Sequence, residues 1–416
     1  MSTIKKNIGY QTLAQVGGRG LMFFVYMLLA RILGPALYGT FGYTLSTVQI
    51  VSGIFFDLGL FLIVTRELST GNDSIFVPAL WLKVCGCFAG SIILFALTLI
   101  LDFPMALVTA LVGWAIANSF TDFYFCVFRA KNRMYGETIT MIVQRLFLLG
   151  ILLMVFIGYI HVPEPSILNA SGAAFFGSAF FGFVMVFLLT LYYFPSLIEY
   201  SGLVKIIQEV KALSKQALPL IGVSIFGFIY YKIDIVLLGI LSTHEEVGFY
   251  SAPYRIIEAS FLIPMIMMNA LYPRLSILWA QDVEGFFQIF KKTVLTSIGV
   301  ASVMSLGVII LAEPVIRILF GSAFSPSAGI LCLLSAALIM VYPGYVMTQS
   351  LVILGKQKSY LYVSIIAAFT NIVLNCIFIP LWQAKGAAIA TIFTEAMVTC
   401  VALVLIMRHV SYRRQL

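Results

Sequence analysis

The sequence predicts an all-α polytopic membrane protein, with about twelve transmembrane helices in two parallel-repeat six-helix lobes around a central cavity. Composition predicts the membrane: of 416 residues, 61% are hydrophobic and 10% charged, and the mean hydropathy is +1.05. Pattern predicts the helices, because apolar stretches of about 20 residues recur along the chain, and strand-type alternation is missing. Internal similarity predicts the two lobes. LLARILGPALYGTFGY (Leu28–Tyr43) matches LLGILSTHEEVGFYSAPY (Leu237–Tyr254), pairing Gly39 with Gly248. NASGAAFFGSAF (Asn169–Phe180) matches WQAKGAAIATIF (Trp382–Phe393), pairing Gly172 with Gly386. FRAKNRMYGETIT (Phe128–Thr140) matches LVILGKQKSYLYV (Leu351–Val363) more weakly. Three matches in one order at near-constant spacing indicate a duplicated unit. An even number of spans per unit makes the repeats parallel, as in transporters with a cavity between their halves.

The expected spans are 8–30, 39–64, 78–101, 104–128, 138–159, 168–194, 217–241, 246–273, 292–312, 327–350, 359–380 and 386–407. Residues 1–198 then form an N-terminal lobe and 217–416 a C-terminal lobe. Between them, 199–216 mixes Glu199, Lys205, Glu209, Lys211 and Lys215 with apolar residues. It reads as an amphipathic interfacial helix or as a solvated linker. Lys5 and Lys6 ahead of a full-length span read as a retained first helix. With both termini in the cytoplasm, that side gathers most of the 25 Lys and Arg residues, and the other side keeps only Arg31, Arg317 and Lys385. This asymmetry fixes the orientation and accounts for the +8 net charge without nucleic acid.

Taken in order, the spans carry charges that hydrocarbon does not welcome. A charge near the bilayer centre costs ~2.5–3.5 kcal/mol on insertion scales, so it faces a partner or a wet cavity. Span one places Arg19 about 16 Å deep, among Gly17, Gly18 and Gly20. These glycines either form a close-packing face or weaken the helix into a hinge. Spans two and four contribute Asp57 and Asp122. Span three carries Lys83 close enough to its end to snorkel, and span five carries Arg145 somewhat deeper. Span seven holds Lys232 and Asp234, which lie about 200° apart on a helix and cannot pair with each other. In span eight, Arg255 and Glu258 are three apart and can pair. Span twelve holds Glu395. Pro264 and Pro343 interrupt spans eight and ten, as static kinks or hinges.

Arg19, Arg145, Lys232 and Arg255 are therefore the candidate substrate-binding residues. Asp57, Asp122, Asp234, Glu258 and Glu395 are candidate ion-coupling groups or counter-charges. Nothing points to an enzyme. His161, His244 and His409 lie at loops or ends, and no phosphate-cradling loop or zinc spacing is present. The six cysteines all fall within spans, so neither a disulfide framework nor a metal site is expected.

The runs LARILGPALYGTFGY, FDLGLFLIVTREL (Phe56–Leu68), EEVGFYSAPYRI (Glu245–Ile256) and GAAIAT (Gly386–Thr391) resemble the Wzx-type polysaccharide flippases. These belong to the multidrug/oligosaccharidyl-lipid/polysaccharide exporter superfamily. The resemblance implies a V-shaped pair of lobes with a cationic cavity. It also implies transfer of an undecaprenyl-diphosphate-linked oligosaccharide to the outer leaflet of a bacterial inner membrane, for O-antigen or other surface polysaccharide assembly. Expected partners are the lipid-linked oligosaccharide, membrane lipids and polysaccharide assembly proteins. No cofactor is expected beyond a coupling proton or sodium ion. Arg and Lys suit a diphosphate, and Tyr230, Tyr231, Tyr250 and Tyr254 offer faces for sugar rings. The alternatives are a cation-coupled multidrug exporter of the same superfamily and, from another class, a polytopic glycan polymerase or ligase. The exporter would favour an acidic cavity. The polymerase would carry a long external loop that this chain lacks.

Overall fold

A computed structural model describes residues 2–195 and 203–414. All regular structure among them is helical. In chain order the helices are α1 (Ser2–Phe55), α2 (Leu60–Ser69), α3 (Phe76–Leu101), α4 (Met105–Ala130), α5 (Tyr135–Phe156), α6 (Ile167–Tyr193), α7 (Leu203–Leu241), α8 (His244–Ser260), α9 (Leu262–Gln281), α10 (Val283–Leu319), α11 (Ser327–Ile353) and α12 (Gln357–Arg414). Nine helical stretches among the described residues are long and apolar enough to cross a membrane. Two of them contain a sharp break where the sequence separates spans. In α1 the break is Gly34, at φ 69 and ψ 173, followed by Pro35. In α12 it is Gln383, at φ 51 and ψ −130, three residues after Pro380. A positive φ suits Gly34, and Pro35 resumes a helix without needing an amide donor.

Three local expectations are corrected. Span two does not run to 64. α1 ends at Phe55, and Leu58 and Gly59 adopt positive φ before α2 begins, which leaves Asp57 in a non-helical break. Span eight breaks at Phe261, between α8 and α9, so Pro264 sits in the first turn of α9, where a missing amide is tolerated. Pro343 lies within an α11 that is helical throughout. The part of 199–216 that falls in the described residues, from Leu203 on, continues directly into α7.

The chain divides into two compact units: Met1–Leu33 with Tyr43–Lys232, and Gly34–Gly42 with Ile233–Leu416. The division falls beyond the expected linker, and the turn after Gly34 belongs with the second unit. In the first unit, Leu60, Ile63, Val64, Phe76 and the Phe123–Phe128 stretch pack into one buried core with Leu213 and Ala217. In the second, 34–42 lies against the start of α8. A Cβ on Gly39 would strike the His244 carbonyl oxygen, and one on Gly248 would strike the Pro35 carbonyl oxygen. The two glycines that the sequence pairs are thus the residues whose missing side chains let these backbones touch.

Candidate functional site

In the first unit, α3 presents Lys83 inward. Its side chain is 2% exposed; the ammonium donates to the Phe56 carbonyl oxygen at 2.9 Å, at the end of α1 where the helix has no partner for that group. The same ammonium lies 5.8 Å from the Phe120 ring centroid and 5.6 Å from that of Phe123. Those rings flank Asp122 on α4, and Lys83 is within electrostatic reach of both Asp57 and Asp122. Lys83 therefore does not snorkel. Its position near a span end said nothing of the break in the neighbouring helix that captures it.

Arg145 on α5 crosses α1 at Gly18. A Cβ at Gly18 would overlap the Arg145 guanidinium and press on the Met141 sulfur. Gly18 is thus a close-approach residue, Gly17 has only the Leu13 side chain in ordinary contact, and Gly20 faces open space. α1 is helical through all three, and its break is Gly34. Arg145 lies within electrostatic reach of Asp122, Tyr26 and Arg19, and its Nη1 is buried with no hydrogen-bond partner. Arg19 and Asp122 are exposed although both lie well inside apolar helices. Next to Arg145, Gln144 donates to Asn118 Oδ1 at 3.0 Å. A further cation, Arg129, grips Glu137 through two hydrogen bonds of 2.7 and 2.5 Å. In the charge asymmetry of the sequence, Arg129 counts among the cations of the cytoplasmic side.

In the second unit the chemistry is opposite. Asp234 on α7 is buried. Tyr250 and Thr391 donate to its Oδ2 at 3.1 Å each, and Asn375 donates to Oδ1 at 2.8 Å. These partners are neutral, as is Asn371, which also hydrogen-bonds the carboxylate. Asn375 also faces the Asn371 carbonyl and side-chain oxygens at 2.9 Å each, and Thr391 faces the Ala387 carbonyl at 3.0 Å. Two hydroxyls and the carboxamides of Asn375 and Asn371 supply six protons. The acceptors number six: both Asp234 oxygens, both Asn371 oxygens, the Ala387 carbonyl and Asn375 Oδ1, which is buried without a partner. The cluster has hard oxygen ligands of the kind that suit a small cation.

The remaining expected residues fall as follows. Arg255 is buried and bonds Glu258 at 2.7 Å, so this pair is internal. Lys232 is buried, 4.7 Å from the Tyr231 ring centroid. Glu395 on α12 is half-buried. Tyr250 and Tyr254 are buried and stack on each other at 5.6 Å, so neither offers a free face to a sugar. Tyr230 and Tyr231 are half-buried. Sequence reasoning missed Lys83, Asn371, Asn375 and Thr391 as members of these clusters. The spacing Asn371–Asn375, one helical turn within an apolar span, was the available signal.

Comparison with known proteins agrees with this architecture. The family model described as polysaccharide biosynthesis protein matches residues 4–279. A probable low-salt glycan biosynthesis flippase of Haloferax volcanii is 24% identical over 178 residues, covering 42% of this chain and 38% of that protein. Two solved structures share the fold. One is a lipid II flippase in an inward closed conformation (TM-score 0.75, 15% identity, 96% of this chain and 87% of that one). The other is an inward-facing multidrug transporter of the MOP superfamily (TM-score 0.78, 11% identity, 98% of this chain and 99% of that one). The fold is the one that these two transporter structures share, and the chain belongs to the polysaccharide biosynthesis protein family.

Proposed function

We propose that this protein is a flippase that moves an undecaprenyl-diphosphate-linked oligosaccharide from the inner to the outer leaflet of a bacterial inner membrane. Both termini lie in the cytoplasm, and polysaccharide assembly proteins receive the product. The observation that carries the reading is the juxtaposition of Arg19 and Arg145 at Gly18. Two cations near one carboxylate, Asp122, leave positive charge unbalanced in an apolar bundle, and an anion between them offsets it. A diphosphate supplies that charge, and guanidinium forks bind phosphate oxygens bidentately. The apolar lipid tail remains in the bilayer while the charged head crosses. The family's role in polysaccharide biosynthesis and the flippase among its relatives support the choice of cargo.

The second element of the proposal is coupling at Asp234. A proton or sodium ion entering the cluster would neutralise the Asp234 carboxylate, so a transmembrane ion gradient would act on unit 2.

The test is flipping of undecaprenyl diphosphate carrying a short glycan in proteoliposomes. Arg19→Ala/Arg145→Ala should lose flipping while the protein inserts normally. Wild-type rates in that variant would overturn the cargo reading. Orientation is tested separately. A cysteine at exposed Glu164 should react with an impermeant thiol reagent added outside cells, and one at exposed Lys358 should not. The opposite labelling would reverse the assigned sidedness.

A further inference from the structure

We propose that the α8–α9 break is a hinge and that Tyr342 is its latch, a hydroxyl standing in for the amide that Pro264 lacks. In a continuous helix the Ser260 carbonyl would accept from the amide of residue 264. Residue 264 is proline and has no such amide. Tyr342, on α11 and 1% exposed, donates to that carbonyl instead, at 3.0 Å. The neighbouring groups of the break are displaced in the same way. The Phe261 amide turns to the Glu258 carbonyl at 3.3 Å rather than to that of Ile257. The Ser260 hydroxyl takes the Ile257 carbonyl at 2.7 Å, and the Met265 amide reaches the Phe261 carbonyl at 3.4 Å. Two side chains, Ser260 from within and Tyr342 from a neighbouring helix, thus hold a turn whose carbonyls the backbone leaves short of donors.

The helix that ends at this break carries Tyr250, which donates to Asp234, and the Arg255–Glu258 pair. Bending at the end of α8 therefore moves the carboxylate cluster and that ion pair against α9. A latch made of one neutral hydrogen bond suits such motion, because its net worth is modest and it biases the hinge without locking it. Unit 1 has a comparable arrangement. Its break after Phe55 leaves the Phe56 carbonyl, to which Ser119 on α4 donates at 3.3 Å beside the Lys83 ammonium at 2.9 Å. Ser119 lies nine residues before Phe128 and Tyr342 nine before Leu351, the residues that open the third repeat match. The two donors therefore occupy one position of the repeat. The carbonyls do not, since Phe56 lies 17 residues after Gly39 and Ser260 lies 12 after Gly248. What both copies keep is a hydroxyl from the fourth span donating to a break in the second.

The test uses the purified full-length protein in detergent. Hydrogen exchange of the amides from Ile257 to Ile266 is read by mass spectrometry, with thermal stability in parallel. Tyr342→Phe removes only the hydroxyl. It should speed exchange across the break by about fivefold or more, at a nearly unchanged unfolding midpoint. Pro264→Ala returns an amide to the Ser260 carbonyl. In that background Tyr342→Phe should change exchange by less than about twofold. Equal acceleration in both backgrounds would show that the hydroxyl does not replace the amide, and it overturns the latch. So does unchanged exchange in Tyr342→Phe. Transport is read separately in proteoliposomes with undecaprenyl diphosphate carrying a short glycan, and this arm alone rests on the cargo reading. Pro264→Ala should fold at least as stably as wild type and flip at least about threefold more slowly, because its hinge is stiffened. Wild-type flipping by a stably folded Pro264→Ala protein overturns the hinge. Absence of flipping by the wild-type protein would instead fault the cargo assignment, and the exchange results then decide the latch by themselves.

Discussion

Fourteen residues before Gly248 the second repeat places Asp234, whereas fourteen residues before Gly39 the first repeat places Val25. Five residues after Gly386 stands Thr391, whereas five after Gly172 stands Gly177. The oxygen cluster of unit 2 therefore has no counterpart in the first repeat. The converse holds for Arg19, which lies twenty residues before Gly39; the matching position before Gly248 is Phe228. The backbone pattern repeats while the buried charges do not. Unit 1 puts Lys83 within electrostatic reach of Asp57 and Asp122, and Arg145 within reach of Asp122 and Arg19. Unit 2 buries Asp234 among neutral donors and pairs Arg255 with Glu258. On the reading proposed above, the two units divide labour: the first keeps positive charge for an anion, and the second keeps a buried carboxylate for a cation.

The strongest way to break this comparison is at Asp234. Asp234→Asn should abolish the dependence of flipping on an applied ion gradient. Asp234→Ala should also lower thermal stability, because Tyr250, Thr391 and Asn375 lose a charged acceptor, each such bond being worth ~1.5–3 kcal/mol. Unaltered gradient dependence in Asp234→Asn would remove unit 2 from the coupling role.

A smaller effect is expected where the repeats agree. Gly39→Ala and Gly248→Ala each drive a methyl into a backbone carbonyl, which cannot rotate away. Each should cost ~1–3 kcal/mol of stability, measurable as a lower midpoint of thermal unfolding in detergent. Equal tolerance of both would mean that these backbones separate easily.

Smaller again is the contrast within α1. Gly18→Ala should displace the Arg145 guanidinium and weaken undecaprenyl diphosphate binding severalfold, whereas Gly17→Ala should bind as wild type and gain up to ~1 kcal/mol of helix propensity. If Gly17→Ala instead folds well but flips slowly, α1 bends there during transport, as the glycine-rich sequence suggests.

The smallest effect lies at the C-terminal end of α2. Hydrogen bonds from Arg66 and then Asn72 hold the Glu67 carboxyl below the usual range. A lowered folded-state value contributes stability above the unfolded carboxyl value, lost as pH falls through the folded one. The group is exposed, so salt should erase most of it. Glu67→Gln should be slightly less stable than wild type near neutral pH in low salt, and the difference should vanish in acid. A difference that persists in acid would assign the effect to packing.

Most helix positions and most of the deep charges were legible in the sequence, because apolar runs and isolated ionisable residues are local signals. Gly39 and Gly248 were legible as a matched pair before their crossing was seen. The clusters were not legible, for a reason of distance. Asn375 and Thr391 lie 141 and 157 positions from Asp234, and no periodicity within one span reports such a meeting. Lys83 was misjudged for a related reason. Its depth in span three was readable, but the break after Phe55 that offers it a carbonyl belongs to another helix. The aromatic residues were ambiguous from the outset: Tyr250 and Tyr254 carry the composition of a sugar platform, yet burial turns them to the Asp234 cluster and to each other.

The division of labour is tested most directly by one binding measurement on three purified proteins: wild type, Arg19→Ala/Arg145→Ala and Asp234→Asn, each titrated with undecaprenyl diphosphate in the absence of any ion gradient. The account predicts that the double arginine variant loses at least about tenfold in affinity while Asp234→Asn binds within about threefold of wild type. Equal losses in the two variants, or a loss confined to Asp234→Asn, would contradict it.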